Sequence, residues 1–155
     1  MSMKVEVSMN GLDDAIRMLQ KLTDDVDPIF KRTLYKGMDV VADTMRESVK
    51  ALKTDKVKKG KRYCTVNEKK GLIESFGVTP IKFRDGVYDV KAGFDGYNEY
   101  IKSHPANPMI ANFVNRGTSY MKAQPFISRT ERAARSKSID AMTKALDEEI
   151  KKRTH

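Results

Sequence analysis

The chain has 155 residues, 39% of them apolar and 33% charged, and a formal charge of +9. That length suits one domain, residues 1–155, whose core needs no metal or disulfide staple. The single cysteine, Cys64, excludes an intramolecular disulfide and a thiolate-only metal site. No apolar run approaches the roughly 18 residues of a membrane span, and the opening MSMKVEVSMNG lacks the apolar centre of a secretory leader. Synthesis in a cytoplasm is therefore expected, with no membrane partner.

In chain order, Met3, Val5, Val7 and Met9 alternate with polar residues, the period of a strand with one buried face. Asn10-Gly11 ends it. Leu12, Ile16, Leu19, Leu22 and Val26 follow at helical spacing, behind the acidic start Asp13-Asp14. Asp27-Pro28 reads as an N-cap with proline at the first helical position. A long helix then runs from about Pro28 to Leu52 on the stripe Phe30, Leu34, Met38, Val41, Met45, Val49 and Leu52.

Residues 50–70 carry nine basic and two acidic side chains, which is +7 of the net +9. The rest of the chain is nearly balanced. Within that stretch, residues 53–70 show no apolar period and are expected to form an exposed, flexible basic arm with Tyr63 as its one aromatic. Such a segment is either a solvated mobile loop or a contact for nucleic acid or an acidic protein surface. On the second reading the contacts are Lys56, Lys58, Lys59, Lys61 and Arg62.

A hairpin is expected next, from Gly77–Phe83 and Val87–Phe94 around Asp85-Gly86. Its register pairs Phe83 with Tyr88, Ile81 with Val90 and Thr79 with Ala92, all on one face. Pro80 marks its strand as an edge, or its missing N–H as pointing outward. Residues 95–108 read as a loop and Met109–Asn115 as a short helix stopped at Gly117. A final helix runs from about Ile127 to Lys152, with Ile127, Ala134, Ile139, Ala141, Met142, Ala145, Leu146 and Ile150 along one face. The fold class these elements predict is α+β: a small, mainly antiparallel sheet with the long helix and the C-terminal helix packed on one face.

The chemistry is read mostly by exclusion. GxxxxGK, GxGxxG and HExxH are absent. Cys64 and His104 form the one conceivable nucleophile–base pair, and Cys64 falls in the expected arm, without the rigid frame a nucleophile needs. Glu74 reads as a surface residue rather than a general base. The paired acids sit at helix ends. No catalytic residue, cofactor or metal site is expected.

One resemblance covers nearly the whole chain in order. Val5…Gly11-Leu12-Asp13, the hairpin with Ser75-Phe76-Gly77 and Gly93-Phe94-Asp95-Gly96-Tyr97, the run Phe113-Val114-Asn115-Arg116-Gly117-Thr118-Ser119, and Gln124-Pro125-Phe126-Ile127 together resemble the phage minor tail-component family. Its members are tail-completion or head–tail joining proteins of long-tailed bacteriophages and prophages. Asn115-Arg116 stands where that pattern commonly has an acid followed by a small or aromatic residue. Ser128-Arg129 replaces its usual Arg-Pro, and the basic arm replaces its P-V-D-T-G block.

The resemblance implies a structural virion protein of the neck or tail end. It also implies a ring-forming homo-oligomer that binds neighbouring neck or tail proteins, although the isolated chain need not associate. The interface it implies is Gly117, Thr118, Ser119, Tyr120, Met121, Gln124, Pro125 and Phe126, with residues 118–121 exposed and Phe126 anchored in its own core. In such a ring the arm would meet DNA in the channel. The alternative reading is a free nucleic-acid-binding domain that uses the arm independently of sequence.

Overall fold

A computed structural model of the chain describes residues 5–6, 17–18, 20–21, 26–54 and 60–154. The described elements are β1 (Val5–Glu6), α1 (Asp27–Lys50), α2 (Val66–Ser75), β2 (Phe76–Val78), β3 (Lys82–Arg84), β4 (Val87–Asp89), β5 (Lys91–Phe94), α3 (Asn107–Arg116) and α4 (Phe126–Thr154). The class is α+β, with long helices packed on small antiparallel sheets. Arg17, Met18, Gln20 and Lys21 have helical backbone, as expected for that stretch. Leu12, Ile16, Leu19 and Leu22, like the flanks of β1, lie outside the described residues.

The stripe on α1 is buried along its full length, from Phe30 through Leu34, Met38, Val41, Met45 and Val49 to Leu52 just past the helix end. The start of the helix differs from the expected cap. Asp27 is its first residue, Val26 holds the cap position, and no side chain caps the helix. The Asp27 carboxylate turns instead to the hairpin, accepting the Tyr88 hydroxyl at 2.6 Å and pairing with Lys31 at 2.9 Å. Those two partners hold its pKa below the ordinary value.

Helix α4 lies antiparallel on α1. Arg32 meets Glu149 at 3.1 Å, Met142 lies against Gly37, and the Thr130 and Ser48 hydroxyl oxygens lie 2.8 Å apart. The buried residues of α4 are Phe126, Ile127, Thr130, Ala134, Ser138, Met142, Leu146 and Ile150. Steps of four residues turn about 40° past a full circle, so this stripe winds round the helix. That winding leaves Ile139 exposed and Ala141 and Ala145 half-buried, against the expected face.

β5 is the centre of the three-stranded sheet, with β1 and β2 antiparallel on either side, and β3 and β4 form a separate two-stranded ribbon. The expected register holds in that ribbon, where Phe83 faces Tyr88, but slips one residue in the sheet, where Val78 rather than Thr79 faces Ala92. Three residues, 79–81, therefore oppose two, Val90 and Lys91, which amounts to a bulge. Two of its amides pair across it. The Thr79 amide donates to the Lys91 carbonyl at 2.7 Å, and the Lys91 amide donates to Thr79 Oγ1 at 3.1 Å. Pro80 has no N–H, and the Ile81 amide donates to the Tyr35 hydroxyl at 3.3 Å. β2 is an edge strand, as Pro80 foretold.

The loop after β5 is pinned by amides. Asn98, fully buried, donates to the Asn67 carbonyl at 3.0 Å and accepts from the Tyr100 amide at 2.8 Å. Gly71 of α2 allows this approach, because a Cβ there would stand 2.3 Å from Asn98 Nδ2. Gly71→Ala should therefore lower stability by about 1–3 kcal/mol in a denaturant titration.

Glu149 yields the pH dependence. Burial raises its pKa, but hydrogen bonds from Arg153 and Arg32 outweigh that, and the net shift is downward. A carboxylate held below its unfolded pKa stabilises the fold above that value, and the contribution is lost as pH falls through the folded one. Glu149→Gln should lower Tm at neutral pH by about 2–4 °C, as for ~1 kcal/mol, and flatten the acid limb of a Tm–pH curve.

Candidate functional site: the lock at the base of the basic loop

The expected arm is much shorter than residues 53–70, and its ends are fixed. Its last third belongs to α2, whose N-terminus is a complete capping box. Thr65 Oγ1 accepts the Glu68 amide at 3.1 Å, and Glu68 Oε2 accepts the Thr65 amide at 2.7 Å. Sequence reading missed this helix although Thr65-Val66-Asn67-Glu68 carries the capping-box spacing. Cys64 is buried. Lys56, Lys58 and Lys59 lie outside the described residues, which resume at Gly60 after Thr54.

Gln124 joins those ends. The Lys53 amide donates to Gln124 Oε1 at 2.8 Å, and Gln124 Nε2 donates to the Lys53 carbonyl at 3.0 Å. The Cys64 thiol donates to the same carbonyl at 3.3 Å, with Gln124 Nε2 3.8 Å from its sulfur. The Gln124 amide itself donates to the Val114 carbonyl at 2.8 Å. One buried side chain thus ties the exit of α1, the returning chain at Cys64 and the end of α3.

Residues 117–122 complete the lock. Gly117 ends α3 at φ 77°, with its amide 2.7 Å from the Phe113 carbonyl, and a Cβ there would stand 2.9 Å from the Ala123 nitrogen. Glycine is required on both counts. Thr118 Oγ1 accepts the Met121 amide at 2.9 Å and closes a tight loop. Arg62 runs parallel to this loop, its amide donating to the Tyr120 carbonyl at 2.9 Å and its carbonyl accepting from Lys122 at 2.7 Å.

These contacts redistribute the expected interface. Phe126 is in the chain's own core, edge-on to Phe94 at 5.9 Å. Met121 and Gln124 are buried too, contrary to the exposed position expected of Met121, because the parallel pairing with Arg62 turns Met121 inward. Gly117 and Thr118 are half-buried. Only Ser119, Tyr120 and Pro125 of the eight are exposed.

Of the expected cationic contacts, Lys61 is exposed. Arg62 is not a free cation: its guanidinium makes a two-pronged contact with Glu68, both distances 3.0 Å, which raises its pKa further. Two cations that were not singled out join the surface. Lys53 and Lys122 lie 5.9 and 5.5 Å from the Tyr63 ring centre, and Arg62 lies 5.5 Å from that of Tyr120.

Nothing brings Cys64 and His104 together. The thiol is engaged with Lys53 and Gln124, and burial pushes its pKa up, away from thiolate chemistry. His104 is exposed and lies 3.5 Å from Glu99. Glu74, also exposed, accepts the Tyr100 hydroxyl. Among the described residues no three His, Cys, Asp or Glu side chains are grouped to hold a metal.

Comparison of the chain with protein-family models, with characterised proteins and with solved structures finds no match.

Gln124→Ala would take the partner of the Lys53 amide and leave its carbonyl only the Cys64 thiol, an expected loss of about 1–3 kcal/mol. Cys64, slow to react with a thiol reagent in the native protein, should then be labelled at least several-fold faster under native conditions.

Proposed function

We propose that this chain is a structural assembly protein of a long-tailed phage or prophage virion, acting at the neck or tail end in tail completion or head–tail joining. It works by self-assembly and partner binding rather than turnover, in a virion put together in the bacterial cytoplasm. The observation that carries the reading is the lock itself. In the segments on which the family resemblance rests, Gly117–Ser119 and Gln124–Ile127, Thr118 and Gln124 place their side chains on backbone groups, and Phe126 and Ile127 place theirs in the core. They shape a surface and hold no group poised to react.

The departure at Asn115 fits the same logic. Its side-chain oxygen accepts the Ile127 amide at 3.1 Å, in the first turn of α4. An acid, common at that place in the family pattern, would supply the same acceptor to the same unpaired donor. Ser119 and Tyr120, at the exposed apex of the loop, are the residues left to touch a partner. No helix among the described residues is long and apolar enough to cross a membrane.

A second reading, sequence-independent nucleic-acid binding, draws on the flanking of Tyr63 by Lys53 and Lys122. The two differ in what the isolated chain does: the second requires tight DNA binding that falls steeply with salt.

Deletion of the gene from its phage or prophage should give particles with unjoined heads or incomplete tails in electron micrographs, rescued by the chain in trans. Tyr120→Asp should reduce incorporation into particles about tenfold or more while Tm stays within about 2 °C, as expected of an exposed side chain. Complete, infectious particles without the gene would refute the assembly reading.

A further inference from the structure

Arg32, Arg46, Arg62 and Arg153 each lie within salt-bridge distance of a carboxylate. Arg129, Arg132 and Arg135 have no such partner among the described residues, though all three are exposed on the first half of α4. Their spacing of three makes a ladder about 9 Å long at 1.5 Å rise per residue. On α1, Asp39, Asp43 and Glu47 form an exposed ladder of the opposite sign, spaced by four and about 12 Å long. Only Asp43 has a cation in reach, Arg46 at 3.4 Å, and that pair is itself solvent-exposed. Lys36 and Lys50 bracket the acidic ladder, and Glu131 neighbours the basic one.

By the helical period, each ladder lies opposite the buried stripe of its own helix. Like charges at these spacings repel along a helix, so neither ladder assists the folding of the element that carries it. The Ser48–Thr130 contact sets Arg132 about level with Glu47. Yet the described salt bridge that joins α1 to α4 is at the far end, Arg32 to Glu149. A polyanion drawn to the arginines would leave the carboxylates on the other helix unmatched. A second copy of this chain meets both requirements, because it offers carboxylates to the arginines and arginines to the carboxylates. Ile139, exposed in the shallow groove beside Arg132, Arg135 and Ser136, adds an apolar contact at the same place.

We infer that copies of this chain associate through the outer faces of α1 and α4, with Arg129, Arg132 and Arg135 of one copy against Asp39, Asp43 and Glu47 of another. The inference rests on the assembly reading and names its surface. Self-complementarity of this kind is what a homo-oligomeric interface needs, and its charge pairs make association salt-dependent.

The test is sedimentation equilibrium of the full chain at low and high salt. Wild type should associate at low salt and dissociate as salt rises. Reversal of either ladder, R129E/R132E/R135E or D39K/D43K/E47K, should weaken association about tenfold or more. An equimolar mixture of the two variants should restore it, because each then carries the charge that the other lacks. Circular dichroism melts, with R129Q/R132Q/R135Q as the neutral control, should show every variant folded.

Restoration in the mixture cannot come from damaged folding. Association that survives both reversals, or a wild-type chain that stays monomeric at low salt and high concentration, would overturn the proposal. So would duplex DNA binding lost in the arginine variant while self-association is unchanged. None of these touches the gene-deletion result, on which the assembly reading stands or falls separately.

Discussion

The Gln124 carboxamide is the interaction on which the rest of this structure turns. It closes a two-bond ring with the Lys53 backbone while its own amide is held by Val114. A buried backbone amide and carbonyl without partners are each costly, and Lys53 sits where α1 has ended and no ladder is at hand. Glutamine solves this because its side chain presents a donor and an acceptor in the geometry of another peptide group. The consequence reaches in three directions. Leu52 stays in the core, Cys64 returns beside it, and Phe126 begins α4 two residues on with its ring against Phe94. The lock thus holds the chain on either side of residues 55–59, which carry three lysines and one aspartate.

The parts of the fold governed by one local period were legible in the sequence. The α1 stripe is nearly uninterrupted in its apolar residues, so each position that the helical period picked out is buried, although Ile29, Thr33, Gly37 and Ala42 beside it are buried too. The hairpin tip was legible because Asp85-Gly86 dictates its turn, and the register there is as expected. Farther from the tip the register slipped, because Pro80 removes one donor and Thr79 offers a hydroxyl in place of a carbonyl. A rule based on alternation has no means of weighing that exchange. Helix α4 was found with its face partly misplaced for a related reason: two of the residues on its buried stripe, Thr130 and Ser138, are polar. Each satisfies its hydroxyl on its own helix, Thr130 on the Phe126 carbonyl and Ser138 on that of Arg135. A polar residue that carries its own acceptor into the core looks like a surface residue in a hydropathy pattern.

The site was legible as a set of positions and misread as to orientation. Gly117, Thr118, Gln124 and Phe126 stood out in the sequence, and all four are structurally committed. That a residue points inward depends on which strand or loop passes behind it. For Met121 that neighbour is Arg62, 59 positions earlier, reached through a parallel bridge that no local pattern encodes. The same bridge explains why Arg62 was overvalued as a ligand-binding cation. Once its backbone is fixed beside Tyr120 and Lys122, its guanidinium reaches Glu68 of the capping box. A side chain counted among the free positive charges is instead a brace for the start of α2.

Charge is accordingly divided between two tasks that composition alone merges. Near the lock, part of the positive charge is absorbed. Arg62 is paired with Glu68, and Lys69 donates to the Leu52 carbonyl at 3.0 Å, closing the end of α1. Such contacts are insensitive to what lies outside the molecule. On the outer faces of α1 and α4 stand three carboxylates on one helix and three guanidiniums on the other, of which Asp43 alone has an ion-pair partner among the described residues, Arg46. An exposed ion pair within one chain contributes little to stability. The same groups facing another molecule act on encounter rate and orientation, where long-range complementarity matters most. With a ladder of carboxylates on α1 and one of guanidiniums on α4, the chain has this part of its electrostatics arranged for contact between molecules more than for its own folding.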